Sequence, residues 1–204
     1  MSKTIVQHPE KKLEDVRDVW DGNECDGRGR STAAGRGYNT ERLAGAVLDT
    51  EGDFFSYTSE DWYDTFASSK DMYTHAECKS CVNRYPSGAY GRFRIWRHHH
   101  ETLVAKATQS TEQNCYPYFL VVYDIQDDVE REVGKVVAPV SLVDQALDKW
   151  RQQTHGTMGT QQVRDISWHL LLKRLGVSEQ RLRAESTVDL TQMNRKITIG
   201  LFNE

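Results

Sequence analysis

The sequence has few cysteines, no long apolar run and no excess of positive charge, and each absence excludes a class of protein. Its 204 residues contain four cysteines, too few for the disulfide scaffold of a small secreted domain, so a reducing cytoplasm is the expected compartment. No apolar run reaches the length of a membrane span, and the first residues lack the pattern of a signal peptide. The formal charge of −4 argues against a globally basic, nucleic-acid-binding surface but allows a local one.

The most informative segment is Ala76–Cys81, in which an acidic residue and a lysine stand two positions apart. Alternate side chains of a β-strand share a face, so Glu77 and Lys79 are expected to point into one site. Asp64 lies 13 positions before Glu77 in another strand-like run. A hairpin that turns at residues 68–71 would bring Asp64 beside the other two. Two carboxylates and a lysine at a strand edge are suited to hold a divalent cation and activate a water next to a phosphodiester.

Two further carboxylates bear on this site. Asp71 lies six residues before Glu77 and competes with Asp64 for the metal role. We favour Asp64, because residues 68–71 have the chemistry of a turn. Glu41, on the preceding predicted helix, is the natural candidate for a carboxylate that reaches a second ion or its water shell.

The spacing of apolar residues predicts the order helix, three strands, helix and strand up to residue 125. The predicted elements are a helix over 40–49, strands over 54–58, 61–66 and 72–81, a helix over 90–107 and a strand over 118–125. The last of these is almost wholly apolar, which is typical of a strand that is buried on both faces and has a parallel partner.

Three regions follow from this reading. Residues 1–37 are an N-terminal extension with a loop rich in glycine and arginine, and residues 38–140 are an α/β core that ends with a strand over 132–140. Residues 141–204 are predicted to be mainly helical and packed on the core. Their predicted elements are helices over 141–150, 161–175 and 178–185 and a closing strand over 196–202.

Asp64, the turn after it and Glu77-Cys78-Lys79, within this order of elements, resemble the PD-(D/E)XK nuclease superfamily, which includes type II restriction endonucleases and archaeal Holliday junction resolvases. The resemblance covers residues 39–125, a little under half of the chain. It implies an α/β fold with a restriction-endonuclease-like mixed sheet flanked by helices. One departure is that Tyr63 stands where the family pattern has a proline before the aspartate.

The resemblance also implies an activity. It implies a Mg²⁺-dependent DNA endonuclease of restriction or DNA-defence type, with Mn²⁺ as a substitute ion and a junction resolvase or repair nuclease as the nearest neighbour in function. The implied metal ligands are Asp64, Glu77 and the main-chain carbonyl of Cys78, with Lys79 as a catalytic residue. The implied assembly is a homodimer that cuts double-stranded DNA, one strand per subunit.

A group of arginines follows the candidate site and is interleaved with aromatic residues; the arginines are Arg84, Arg92, Arg94 and Arg97. If the resemblance holds, they lie near the scissile strand, where arginines contact phosphates or read guanine edges. The alternative is an ordinary polar helix face.

Cysteine spacing offers a rival interpretation. Cys78-x-x-Cys81 has the spacing of a zinc knuckle, and a run of three histidines, His98 to His100, lies nearby in sequence. The second pair of ligands would have no regular spacing, however, and on a strand the two cysteines fall on opposite faces. The corresponding alternative function is a non-catalytic DNA- or protein-binding module, either a degenerate nuclease fold or a zinc-stabilised domain.

Overall fold

The computed structural model describes residues 40–41, 43–45, 47–48, 54–57, 63–69, 72–110, 113–126, 129–155 and 159–191. The strands are β1 (Phe54–Tyr57), β2 (Thr65–Ser69), β3 (Met72–Val82), β4 (Arg92–Trp96), β5 (Asn114–Cys115), β6 (Pro117–Gln126), β7 (Val129–Pro139), β8 (Arg151–His155), β9 (Gly159–Ser167) and β10 (Thr187–Asp189). The helices are α1 (helical at 40–41, 43–45 and 47–48), α2 (Arg97–Gln109), α3 (Val140–Ala146), α4 (Trp168–Arg174) and α5 (Glu179–Glu185). The predicted extension over 1–37 and the predicted strand over 196–202 lie outside the described residues.

The main sheet is mixed. The described residues form seven strands in the order β1-β2-β3-β6-β7-β10, with β5 beside β3. β3 and β6 run parallel, as do β7 and β10, whereas β2 and β3 are antiparallel, as are β6 and β7. Residues 117–123 of β6 are all buried, which agrees with the prediction of a central strand covered on both faces.

Helices cover both faces of this sheet, as predicted. On one face, α1 contributes Leu43 and Ala44 to a cluster with Phe119 and its neighbours on β6. On the other face, a larger cluster joins β6 to α2 through Leu103 and to the later helices. Among the described residues, no helix combines the length and the apolar character needed to cross a membrane.

Residues 90–107, predicted as one helix, form a strand followed by a helix. In β4, Phe93 and Ile95 are fully buried while Arg92 and Arg94 are exposed, which is the period of two that a strand produces. β4 pairs with β9 along its whole length, from Arg92 opposite Ser167 to Trp96 opposite Val163. This long-range pairing decides in favour of a strand, and the helix begins only at Arg97.

A mainly helical C-terminal part is not confirmed. Residues 161–167, predicted as the first half of a helix, belong to β9, which pairs with β4 and β8 in a separate three-stranded sheet within the described residues. The helix predicted over 141–150 is the shorter α3, which ends at Ala146, and α5 forms where a short helix was predicted, with Ser178 as its N-cap. Because β9 and β10 join sheets that begin before residue 140, the division of the chain at that position stays a prediction.

Gly91 lies at the entry to β4, where two main-chain segments approach closely. A Cβ atom at this position would overlap the main-chain carbonyl oxygen of Val82 at the end of β3. The amide of Gly91 donates to the carbonyl of Asn83 at 3.1 Å, and its carbonyl accepts from the amide of Trp168 at 3.0 Å. The junction that sets β4 against β3 therefore requires glycine.

We expect Gly91→Ala to lower the free energy of unfolding by about 3 kcal/mol or more, because the obstructing atom is main chain and cannot rotate away. Gly88→Ala is the matched control: Gly88 has a φ of 81° and open space around it. That substitution should cost only about 1–2 kcal/mol, the cost of left-handed backbone. Urea unfolding of both variants measures the difference, and equal losses would contradict the close approach of Val82 to Gly91.

Candidate functional site

The candidate site lies where β3 stops pairing with β2 on one edge and starts pairing with β6 on the other. From Met72 to Ala76, β3 pairs with β2, and from Glu77 onward its other edge pairs with β6. β2 begins at Thr65, opposite Ala76, so beyond Ala76 no described strand continues along this edge of β3. The peptide groups of β3 that face this gap need other partners.

Side chains supply those partners at Cys78. The Oδ2 atom of Asp64 accepts a hydrogen bond from the Cys78 amide at 2.8 Å, and Lys79 Nζ donates to the Cys78 carbonyl at 3.0 Å. The amide of Asp64 in turn donates to the carbonyl of Ala76 at 2.9 Å, which fixes Asp64 at the open end of the β2–β3 hairpin. The hairpin thus places Asp64 beside Glu77 and Lys79. Asp71, the competing carboxylate, lies outside the described residues.

Glu77 and Lys79 project from the same side of β3, as strand alternation requires. Lys79 Nζ contacts Glu77 Oε1 directly and lies 3.6 Å from Asp64 Oδ2. The Glu77 side chain is 1% exposed, and its second oxygen, Oε2, has no hydrogen-bond partner among the described residues. A buried polar atom without a donor calls for an explanation, and a bound cation is one.

The three charged groups shift one another's pKa values. Burial raises the pKa of Asp64 above its usual value, against the opposing effect of the Lys79 ammonium. Burial acts in the same direction on Glu77, but Lys79 and His99 outweigh it and hold the pKa of Glu77 below its usual value. For Lys79, burial acts to lower the pKa, and the two carboxylates outweigh it and raise that pKa, so the amine carries a proton at neutral pH.

Glu41 reaches this group of charges from α1. Thr65 Oγ1 donates a hydrogen bond to the main-chain carbonyl of Glu41 at 3.2 Å, which ties α1 to the start of β2. Burial and the neighbouring Asp64 carboxylate raise the pKa of Glu41 to about 7. The structure therefore brings Glu41 into electrostatic range of the predicted site, while its role toward a second ion stays a prediction.

His99 is a neighbour of the site that sequence reasoning missed. Its Nδ1 lies 3.4 Å from Glu77 Oε1. The three adjacent histidines of α2 lie in different surroundings, because successive residues of a helix point in different directions. His98 is exposed, whereas His100 is buried and its Nε2 lies 3.0 Å from Asp144 Oδ1. The run of histidines was a visible signal, but only the packing of α2 on β3 selects the one that reaches Glu77.

The arginines predicted to bind DNA lie in a loop, on β4 and at the start of α2; they are Arg84, Arg92, Arg94 and Arg97. Arg84 lies over the ring of Tyr90 at 4.0 Å, and Arg92 is exposed on β4. Arg94 forms two hydrogen bonds with Asp165, at 2.8 and 3.1 Å, and Arg97 pairs with Glu101 at 2.6 Å. Two of the arginines are thus engaged by carboxylates of the chain itself.

Cys78 and Cys81 lie on opposite faces of β3 and cannot share one zinc ion. Cys78 Sγ is 3.6 Å from Thr65 Oγ1 on the α1 side, whereas Cys81 packs in the larger cluster with Phe93. Within the part of the chain that the structure describes, no three His, Cys, Asp or Glu side chains form a group that could hold a metal ion.

A metal at the candidate site therefore needs main-chain or water ligands besides Asp64 and Glu77. The carbonyl of Cys78, which faces the gap, is suited to this role. Two carboxylates, one carbonyl and waters make a set of hard oxygen ligands, which is the set that Mg²⁺ prefers. The Oε2 atom of Glu77, which has no hydrogen-bond partner among the described residues, is consistent with such an ion. Asp64, Glu77 and the Cys78 carbonyl are therefore suited to bind Mg²⁺.

Comparison with known proteins gives one family. Residues 28–173 match a family model described as a PD-(D/E)XK nuclease superfamily domain. The match spans more than half of the 204 residues and includes α1, β2, β3 and the sheet formed by β4, β9 and β8. No curated protein matches the sequence.

We expect Glu41→Gln to stabilise the metal-free protein at pH 8 by about 2 kcal/mol, a value reduced from the full pKa shift because the side chain is partly exposed. A carboxyl whose pKa rises from 4.5 to about 7 on folding stabilises the native state while it is protonated. The wild type should therefore lose stability relative to the variant as the pH rises from 4.5 to 7.

Denaturant unfolding in EDTA between pH 4 and pH 8 measures this difference. Glu185→Gln, which alters an exposed carboxylate on α5, is the control and should show no comparable trend. A constant difference between wild type and Glu41→Gln across the range would contradict the burial of Glu41 beside Asp64.

Proposed function

The chain belongs to the PD-(D/E)XK nuclease superfamily, and from this membership we propose that it is a Mg²⁺-dependent endonuclease that hydrolyses phosphodiester bonds in DNA. The observation that carries the proposal is the convergence of Asp64, Glu77 and the Cys78 carbonyl around the amine of Lys79, with Glu77 Oε2 buried and without a donor. Mn²⁺, which accepts the same oxygen ligands, is the expected substitute.

Each residue has a task in this reaction. Asp64, Glu77 and the Cys78 carbonyl would hold the ion, which would act as a Lewis acid and lower the pKa of a bound water. The Lys79 ammonium stabilises the negative charge that develops on the phosphate oxygens in the transition state. Glu41, which lies within electrostatic range of Asp64, is suited to accept a proton from water or to bind the water shell of a second ion.

The substrate proposed is double-stranded DNA. Arg84, on the loop after β3, and Arg92, on β4, are exposed near the strand that carries Glu77 and are suited to contact phosphates, whereas Arg94 and Arg97 are already paired with Asp165 and Glu101. A compact nuclease with one site cuts both strands when two copies act together, so we include a homodimer in the proposal. A restriction or DNA-defence role in the cytoplasm fits this activity, with a junction resolvase or repair nuclease as its nearest alternative.

We expect Glu77→Gln and Lys79→Met each to slow nicking of supercoiled plasmid in Mg²⁺ by at least about 100-fold, because each removes a charge that acts on the ion or on the phosphate. The matched controls are Glu185→Gln and Lys173→Met, which change exposed residues of α5 and α4 and should cut at the wild-type rate. The loss of supercoiled plasmid with time, with and without EDTA, is the measurement. Equal rates for wild type and both site variants would favour the alternative, a non-catalytic DNA- or protein-binding module.

We expect Arg92→Ala to weaken binding to a short DNA duplex and to reduce the slope of log K against log salt by about one, because it removes one phosphate contact. Arg94→Ala should have a smaller effect, because Asp165 already accepts two hydrogen bonds from that guanidinium. Fluorescence anisotropy in Ca²⁺ at several KCl concentrations measures the DNA affinity and the salt slope of both variants. Arg183→Ala on α5 is the control. An unchanged slope for Arg92→Ala would remove β4 from the proposed DNA interface.

A further inference from the structure

The two oxygens of the Glu77 carboxylate have different surroundings. Oε1 contacts Lys79 Nζ and lies 3.4 Å from His99 Nδ1, whereas Oε2 is buried and has no hydrogen-bond partner among the described residues. The protein thus holds one oxygen and leaves the other for a ligand. A carboxylate that binds a metal through one oxygen needs this arrangement, since hydrogen bonds to the other oxygen fix its orientation.

The two contacts to Oε1 differ in origin. Lys79 is on β3 with Glu77, and its long side chain also reaches Asp64 and the Cys78 carbonyl, so it is shared among several acceptors. His99 comes from α2, a separate element, and offers Glu77 a short side chain on a packed helix. It is therefore the contact that holds the Glu77 side chain against a second element, the helix α2, which packs on the core.

The direction of His99 is set by its neighbours on α2. The next residue, His100, is buried; its Nδ1 lies 3.0 Å from Tyr118 Oη and its Nε2 lies 3.0 Å from Asp144 Oδ1. These two contacts fix the rotation of the helix about its axis. Leu103, fully buried, anchors the following turn. On the other side, the ring of His98 meets the ring of His99 edge-on at 4.2 Å.

We propose that His99 is a positioning residue: it donates a hydrogen bond from Nδ1 to Glu77 Oε1 and so directs Oε2 toward the metal ion. This inference rests on the proposed function, in which Glu77 is a metal ligand. Partners of this kind, which contact a ligand rather than the metal, typically contribute 10- to 100-fold to metal affinity, and the separation of 3.4 Å places His99 near the lower end, at about tenfold.

The test measures Mn²⁺ binding by isothermal titration calorimetry, which needs no DNA and no turnover. His99→Leu removes the donor and should weaken Mn²⁺ binding about tenfold. His99→Asn keeps an N–H near the position of Nδ1 and should restore most of the affinity, whereas His99→Gln, whose amide lies near the position of Nε2, should not. His169→Leu, which changes an exposed histidine on α4, is the control and should bind Mn²⁺ as the wild type does.

The outcomes separate this inference from the proposed function. If His99→Leu binds Mn²⁺ with the affinity of the wild type while Glu77→Gln does not bind it, the inference is overturned and the proposed function is not. If His99→Asn and His99→Gln lose the same Mn²⁺ affinity and keep the melting temperature of the wild type, His99 has no hydrogen-bonding role. The comparison of these two variants tests the inference even if His99→Leu does not fold. Absence of Mn²⁺ binding by the wild type overturns the metal-dependent function and the inference together.

Discussion

The site depends on a gap in the hydrogen bonding of the main sheet. β2 stops pairing with β3 at Ala76, and β6 takes up the other edge of β3 from Glu77. The Cys78 peptide would be left unsatisfied at the first edge, and an unsatisfied buried peptide is costly. Asp64 and Lys79 supply its partners. The contacts that complete the sheet are therefore the same contacts that gather the charged groups, so the geometry of the site is tied to the stability of the fold.

The part of this arrangement that could be predicted from the sequence is the part that depends on local spacing. The alternation of β3 puts Glu77 and Lys79 on one side, and the antiparallel pairing of β2 with β3, which the turn signal in the sequence predicts, brings Asp64 back beside them. The apolar run of β6 likewise indicates a strand buried on both faces. These are short-range patterns with a direct physical cause, namely the two-residue period of a strand and the backbone preferences of turn residues.

The parts that could not be predicted depend on contacts between distant positions. Residues 92–96 fit a helical stripe as well as a strand, because β4 runs directly into α2 and the apolar positions of the two elements fall into one register. The pairing with β9 settles the ambiguity, and Arg94 meets Asp165 across 71 positions of sequence. The choice of His99 among three adjacent histidines has the same origin, since it depends on how α2 packs on β3.

Lys79 affects which ions the proposed metal site would admit. Its ammonium contacts Glu77 and lies near Asp64, so the acidic groups are already balanced by an internal counter-ion before any solute enters. An incoming ion competes with this tethered charge. Sodium or potassium offers no more charge than the ammonium and must also shed water, so it gains little by displacing it. A doubly charged ion gains more from the same oxygens. At the proposed metal site, a preference for divalent over monovalent ions would thus follow from this one amine.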